Sequence, residues 1–289
     1  MRDKQEQIDM TYLNLNYAEN RGVVHRDYIA HCFRWTHVLK RVPVSGAKIL
    51  DAGCGTLAPL AKTLYTNRMT KSQYLGIDYG PIEPGVNFNS WSAMFWPRTD
   101  VSQVRKELVT QALDGEPDII TSFEVLEHMQ PDRCLNLLAK FRELISDDGI
   151  MIISTPVFNG KAAKNHINEW TYSGLGLVFE GLGLEVIDHY GTFASQSEYK
   201  REIEKQFGDA GVKLFQKQHE YYDSNVLSLI WAPLFPNLSR NVIWILKRGR
   251  ISEKKALIAQ ELKTGNMGQS DDMAAWLKAS MFMSHYRDY

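Results

Sequence analysis

The sequence predicts an α/β protein built on a mostly parallel sheet with helices on both faces. Two observations carry this. From residue 46 to 193, short apolar runs alternate with amphipathic ones, as in strands joined by crossover helices. Residues 48–62, K-I-L-D-A-G-C-G-T-L-A-P-L-A-K, then read as strand, glycine turn and helix. That layout puts a nucleotide-type binding site at a helix N-terminus, where backbone N–H groups lack intrahelical partners.

Each element follows from local pattern. Residues 28–42 have apolar positions at close to helical spacing, including Ile29, Phe33, Trp35, Val38 and Leu39. His31 and His37 on this helix read as solvated or satisfied in the core. Strands are expected at 47–51, 74–78, 94–98, 118–123, 149–155 and 184–190. Helices are expected at 57–66, 101–113, 131–145 and 171–182. Residues 79–93 hold two prolines, two glycines and two asparagines and read as a loop. Residues 241–247 (N-V-I-W-I-L-K) form a late strand after an insertion at 194–238. In the tail, 251–262 and 274–283 read as helices, and 264–272 is rich in Gly, Asn, Asp and Ser. The last helix docks on the core or on a second copy of the chain, which would make a homodimer. The expected organisation is therefore an N-terminal helical segment at 1–45, a central domain at 46–248 and a helical tail at 249–289.

Composition narrows the function. The chain has 289 residues, 44% hydrophobic and 23% charged, enough for one large core. A net charge of −1 gives no bulk attraction to nucleic acid. Arg240, Lys247, Arg248, Arg250, Lys254 and Lys255 form one basic cluster, read as a solvated face or a phosphate contact. Cys32, Cys54 and Cys134 are isolated and read as reduced thiols of a cytoplasmic protein. The N-terminus lacks the apolar core of a signal peptide. The longest apolar run, 226–235, is too short for a bilayer, so no membrane partner is expected.

Gly53, Gly55 and Ala58 match the G-x-G-x-x-G/A spacing of dinucleotide sites. Asp78 closes the next strand, where a carboxylate can hold a ribose diol. Asp51 separates two ligand classes. A carboxylate just before the glycines repels a pyrophosphate but suits a ligand with positive charge and no phosphate. S-adenosylmethionine, with its ammonium and sulfonium groups, is such a ligand.

The second informative stretch is 118–131, D-I-I-T-S-F-E-V-L-E-H-M-Q-P. Its strand ends at the face where open α/β sheets bind ligands. If the chain turns helically there, Glu124, Glu127 and His128 share one face. Two carboxylates and an imidazole can ligate a divalent cation or supply a general base. His166, with Glu169 and Trp170 nearby, lies in the loop after the following strand and meets the same crevice.

L-D-A-G-C-G resembles motif I of the class I S-adenosylmethionine-dependent methyltransferases, and G-I-D at 76–78 resembles their second motif. The similarity spans about 47–193 and implies a Rossmann-like, seven-stranded, mostly parallel sheet. Leu57 departs from the family, which often has glycine there, and the 79–93 loop stands where a helix is usual. The resemblance implies cofactor binding by Asp51, Gly53, Gly55, Asp78 and Glu124. Asp100 resembles the acidic residue that bonds the adenine amino group, or is a helix N-cap. E-V-L-E-H, S-T-P at 154–156 and H-x-x-E-W-T resemble two branches of the family. These are the ubiquinone-biosynthesis O-methyltransferases and the small-RNA 2′-O-methyltransferases. The second implies Glu124, Glu127, His128 and His166 as ligands of magnesium or manganese, with Glu127, His128 and His166 at the reaction centre. The metal-free alternative makes the same groups base or pocket wall. The expected acceptor is a small metabolite or glycan intermediate, methylated on oxygen, with RNA second. A non-catalytic cofactor-binding partner subunit is a further alternative. An NAD-dependent dehydrogenase shares the glycine spacing, but Asp51 and E-V-L-E-H oppose it.

Overall fold

A computed structural model describes residues 26–88, 90–158, 160, 162–193, 196–222, 224–249 and 284–286. The expected tail helices at 251–262 and 274–283 lie outside these. Contacts divide the chain into two compact units, one of residues 37–188 and 244–289, the other of 1–36 and 189–243.

The chain runs α1 (Arg26–Leu39), β1 (Lys48–Ala52), α2 (Pro59–Thr66), β2 (Gln73–Ile77), β3 (Ala93–Trp96), α3 (Lys106–Ala112), β4 (Ile119–Phe123), α4 (Pro131–Leu144), β5 (Ile150–Pro156), β6 (Asn168–Trp170), α5 (Tyr172–Gly181), β7 (Leu184–Phe193), α6 (Gln196–His219), α7 (Ser224–Trp231), β8 (Asn241–Arg248) and β9 (Ser284–Tyr286). Seven strands form one sheet in the order β3-β2-β1-β4-β5-β8-β7, and β6 pairs separately with β9. The β3-β2-β1-β4-β5 ladders are all parallel. β1 and β4 therefore lie side by side, with Asp51 opposite Thr121. The strand order reverses between them, and a crevice opens there at the carboxyl ends. This is the α/β class that the alternating pattern predicts, and the Rossmann-like sheet that the resemblance implies.

The central strands are almost continuously apolar because both faces are covered. Ile49, Leu50, Leu75, Ile120, Met151, Ile152 and Ile153 are fully buried. α4 begins at Pro131, a residue already suited to the first helical turn. It buries Leu135, Leu138 and Phe141, at the three- and four-residue spacing of a helix facing one core.

Three expectations about helices change. The helix expected at 101–113 divides into a 3₁₀ turn, Val101–Gln103, and α3. Val104 and Arg105 between them are extended, so the 3.6-residue ladder stops there. The E-V-L-E-H stretch is not one helical face. Glu124 is left-handed, with φ 58, and only Leu126–His128 forms a single 3₁₀ turn. The helix expected from residue 57 begins at Pro59 instead, because Ala58 is itself left-handed (φ 44).

In the smaller unit, α6 breaks at Gly208 (φ 59, ψ −155), a conformation open mainly to glycine. Tyr199, Ile203, Phe215, Trp231, Ala232 and Phe235 pack as its core. The Trp231 indole N–H donates to Gln218 Oε1 at 2.8 Å, which satisfies its one polar atom. Among the described residues, no helix is long and apolar enough to cross a membrane.

The glycine turn is built from two unlike glycines. Gly53 (φ 79) and Gly55 (φ 73) are both left-handed. A methyl group on Gly53 would collide with the Val125 side chain, whereas one on Gly55 would meet only Pro59 Cδ, at 4.0 Å. Gly53→Ala adds overpacking to backbone strain and is expected to destabilise by on the order of 3 kcal/mol. Gly55→Ala carries the strain alone, on the order of 1 kcal/mol. Denaturant titration of the two variants checks the order; equal losses would contradict the packing of Gly53 on Val125.

Candidate active site

Asp51 stands at the end of β1 with its side chain only 3% exposed. The Tyr74 hydroxyl donates to its Oδ2 at 2.6 Å and the Thr121 hydroxyl to its Oδ1 at 2.7 Å. One neighbouring strand supplies each donor. Burial nevertheless pushes the Asp51 carboxyl up to about 6, against the lowering effect of both hydroxyls. Asp51 is thus buried and held from both sides by the neighbouring strands.

Asp78 ties the turn together. Its Oδ2 accepts from Gly55 N at 2.8 Å and its Oδ1 from Gly80 N at 2.7 Å. A carboxylate has about four acceptor sites, so these two bonds leave capacity for a diol. Gly53 N and Cys54 N both donate to the Ile77 carbonyl, at 2.8 and 3.2 Å, closing the turn on β2. Cys54 is buried, and desolvation raises its thiol far above the usual range. It is a packing residue rather than a nucleophile.

The loop at 79–93 is ordered by aromatic packing, not by a helix. Phe88 and Trp91 lie 5.6 Å apart, and Tyr74 contacts both Trp91 and Phe95. Glu83 N donates to the Thr56 carbonyl at 2.6 Å, which fastens this loop to the glycine turn. The sequence contained the signal in its aromatic spacing, but the reading passed over it. Asp100 caps the 3₁₀ turn, with Oδ1 accepting from Ser102 N at 2.9 Å and from the Ser102 hydroxyl at 2.7 Å. That is the N-cap alternative of the two readings of Asp100.

The second cluster lies in the 3₁₀ turn after β4 and in the loop between β5 and β6. Among the described residues, Glu127, His128 and His166 each offer one ligand atom, all within 4.8 Å of one another. The His128 and His166 rings meet edge to face at 5.2 Å. Glu127 is only 1% exposed. The far side of each group has its own partner. The Thr155 hydroxyl donates to Glu127 Oε2 at 3.2 Å. His128 Nδ1 donates to the Asn165 carbonyl at 3.2 Å. His166 Nδ1 donates to Glu169 Oε1 at 2.5 Å. A proton on Nδ1 leaves the imidazole lone pair on Nε2, the arrangement in which histidine binds metals.

Glu124 stands outside this three-residue group. Its backbone N donates to the Ser154 carbonyl at 3.0 Å and its Oε1 accepts from the Ser154 hydroxyl at 2.9 Å. The left-handed backbone at Glu124 turns its side chain away from the helical register that sequence spacing assumed. Sequence reasoning left Thr155 and Asn165 without roles, because their contacts are made by chain segments 28 and 37 residues apart. Glu169 stood near His166 in the sequence, but spacing alone did not give it the ring nitrogen.

The basic cluster is partly neutralised. Lys247 pairs with Glu185 at 3.4 Å and Arg248 with Asp147 at 2.8 Å. Arg248 also donates to the Ile145 carbonyl. Arg250, Lys254 and Lys255 lie outside the described residues.

The raised Asp51 carboxyl has a consequence for stability. The folded chain holds this proton more tightly than an unfolded chain with the ordinary value of 3.8. The contribution is therefore full below about pH 4 and lost as pH rises through about 6, on the order of 3 kcal/mol. Asp51→Asn keeps an acceptor and removes the ionisation. Its stability relative to the native chain is expected to rise between pH 4.5 and pH 7.5, as read by denaturant titration at both.

A family model described as "Methyltransferase domain" matches residues 24–216. No curated protein matches the chain. Among solved structures, a TehB-like SAM-dependent methyltransferase from Corynebacterium glutamicum is 17% identical, with a TM-score of 0.48 over 81% of this chain and 94% of that one. A 1,6-didemethyltoxoflavin-N1-methyltransferase from Burkholderia thailandensis is 15% identical, with a TM-score of 0.49 over 86% and 92%. The small RNA methyltransferase HEN1 is 19% identical, with a TM-score of 0.49 over 78% of this chain and 26% of that one. With the family model covering more than half of its residues, the chain belongs to the methyltransferase-domain family, the class I S-adenosylmethionine-dependent methyltransferases.

Proposed function

We propose that this methyltransferase moves the methyl group of S-adenosylmethionine to a hydroxyl oxygen of a small metabolite or glycan intermediate, at a centre formed by Glu127, His128 and His166. The convergence of these three side chains, each with its far atom already held, carries the reading. The S–CH₃ bond breaks, the O–CH₃ bond forms, and the hydroxyl proton must leave. The methyl group is activated by its sulfonium leaving group, so alignment of the acceptor supplies much of the rate.

Gly53 and Gly55 shape the cofactor end, and the open side of Gly55 lets a ligand approach the backbone. Asp78 is assigned to the ribose diol through its remaining acceptor sites. Asp51 supplies negative charge close to the cationic methionine end, Glu124 borders it, and Asp100 stands at the adenine side.

The donor set fits a divalent cation. Two imidazoles and a carboxylate combine ligands that suit transition metals with one that suits magnesium and manganese. Glu127, His128 and His166 would hold the ion, which when bound lowers the pKa of a coordinated hydroxyl and orients it. In the metal-free alternative, His128, the most exposed of the three (side chain 45%), accepts the departing proton at Nε2 instead of holding an ion. Terminal RNA hydroxyls are the second reading, favoured by this Glu–His–His convergence in the motif that resembles the small-RNA enzymes. The ion pairs of Lys247 and Arg248 count against an RNA path along the basic cluster.

Labelled methyl transfer into a host extract, fractionated into RNA, protein and small molecules, tests the acceptor. Counts among small molecules are expected; counts in RNA alone would replace the first reading with the second. His128→Ala is expected to lower kcat by on the order of 100-fold or more while S-adenosylhomocysteine binding stays within about twofold. Mn²⁺ is expected to support turnover better than Mg²⁺ because nitrogen ligands disfavour the harder ion. Turnover indifferent to EDTA would remove the metal from this reading.

A further inference from the structure

We infer that Glu169 is a positioning residue of the Glu127–His128–His166 centre, acting by fixing the tautomer and orientation of the His166 ring. The inference rests on the metal reading above. Glu169 is not one of the three converging groups, and it is 3% exposed. Its Oε1 lies 2.5 Å from His166 Nδ1 and also accepts from Ala163 N at 3.2 Å. A carboxylate can only accept from the ring, so the proton sits on Nδ1 and the lone pair on Nε2. In solution the Nε2–H tautomer is the commoner one. Without Glu169 the ring would reverse its proton placement and lose the hydrogen bond that holds its plane.

The backbone around Glu169 is suited to this task. Glu169 is the middle residue of β6, whose backbone is held on two sides. Phe158 N donates to the Trp170 carbonyl at 2.8 Å. β9 pairs antiparallel along the strand, with Glu169 opposite His285. Just before β6, Ile167 N donates to the Glu127 carbonyl at 2.7 Å. Glu127 and Glu169 are thus joined through two residues of backbone. A ligand-orienting carboxylate on a strand is held more closely than one on a free loop. Outer partners of metal-bound histidines affect metal affinity by about 10–100-fold.

The test uses the full-length protein and Mn²⁺, titrated calorimetrically with S-adenosylhomocysteine present. Glu169→Ala is expected to weaken Mn²⁺ binding by about 10-fold or more, with S-adenosylhomocysteine affinity unchanged within twofold. In metal-free protein, ¹⁵N NMR of the imidazoles is expected to show His166 moving from the Nδ1–H to the Nε2–H tautomer. Glu169→Gln keeps the shape and an accepting carbonyl, and its Mn²⁺ affinity is expected between the two. Should Glu169→Ala fail to fold, Glu169→Gln carries the test, with several-fold weaker binding expected. Native Mn²⁺ affinity in a folded variant overturns the role of Glu169 alone. No Mn²⁺ binding by the native chain overturns this inference and the metal reading together.

Discussion

Asp51 sits where β2, β1 and β4 run side by side, and its carboxylate takes one hydroxyl from each neighbour. Two neutral donors do not compensate a buried negative charge, so the carboxyl is held up to about 6. The constraint spreads outward. Tyr74 must remain protonated to donate, and its ring must be walled off from water. Trp91 and Phe95 do this by packing on it. The loop that carries Trp91 is in turn fastened to the glycine turn through Glu83 and Thr56. A buried carboxylate left under-compensated stores electrostatic free energy, which shows as its raised proton affinity.

The two halves of the site solve different problems. The half proposed to take the cofactor is made of backbone: left-handed glycines, N–H groups and one carboxylate, Asp78, that gathers Gly55 and Gly80. The half proposed to take the acceptor is made of side chains, each held by a partner of its own. Thr155 comes from β5, Asn165 from the loop after it and Glu169 from β6. Val125 joins the halves, because its side chain fills the space that a methyl on Gly53 would need. The glycine turn and the E-V-L-E-H stretch are therefore packed as one piece, and the left-handed backbone at Glu124 lies at their junction.

Much of the fold was legible in the sequence. Apolar runs such as I-I-T-S-F and I-M-I-I-S-T-P mark strands buried on both faces, since nothing else of that length keeps so many branched residues from water. Pro59 and Pro131 mark helix starts by their missing N–H. The G-C-G turn and the two strand-end aspartates marked, by chemistry alone, the end of the sheet where the cofactor is proposed to bind. Periodicity was less informative where a residue took a left-handed conformation. Ala58 and Glu124 both did, and each moved an expected helix boundary. Local spacing assumes uniform dihedrals, and one residue at positive φ breaks that assumption.

The sequence by itself determined the α/β class, the order of strands and helices and the residues of the glycine turn, because these depend on local burial and backbone freedom. Tertiary structure alone decided that Asp51 is buried between two hydroxyl donors, and that Asp78 accepts from backbone on both oxygens. It also decided that His166 joins Glu127 and His128 across nearly forty residues of chain while Glu124, only three residues from Glu127, turns to Ser154. The physical reason is that side-chain partnership depends on distance in space. A parallel sheet brings the ends of sequence-distant strands together, and a single left-handed residue can send two sequence neighbours to different partners.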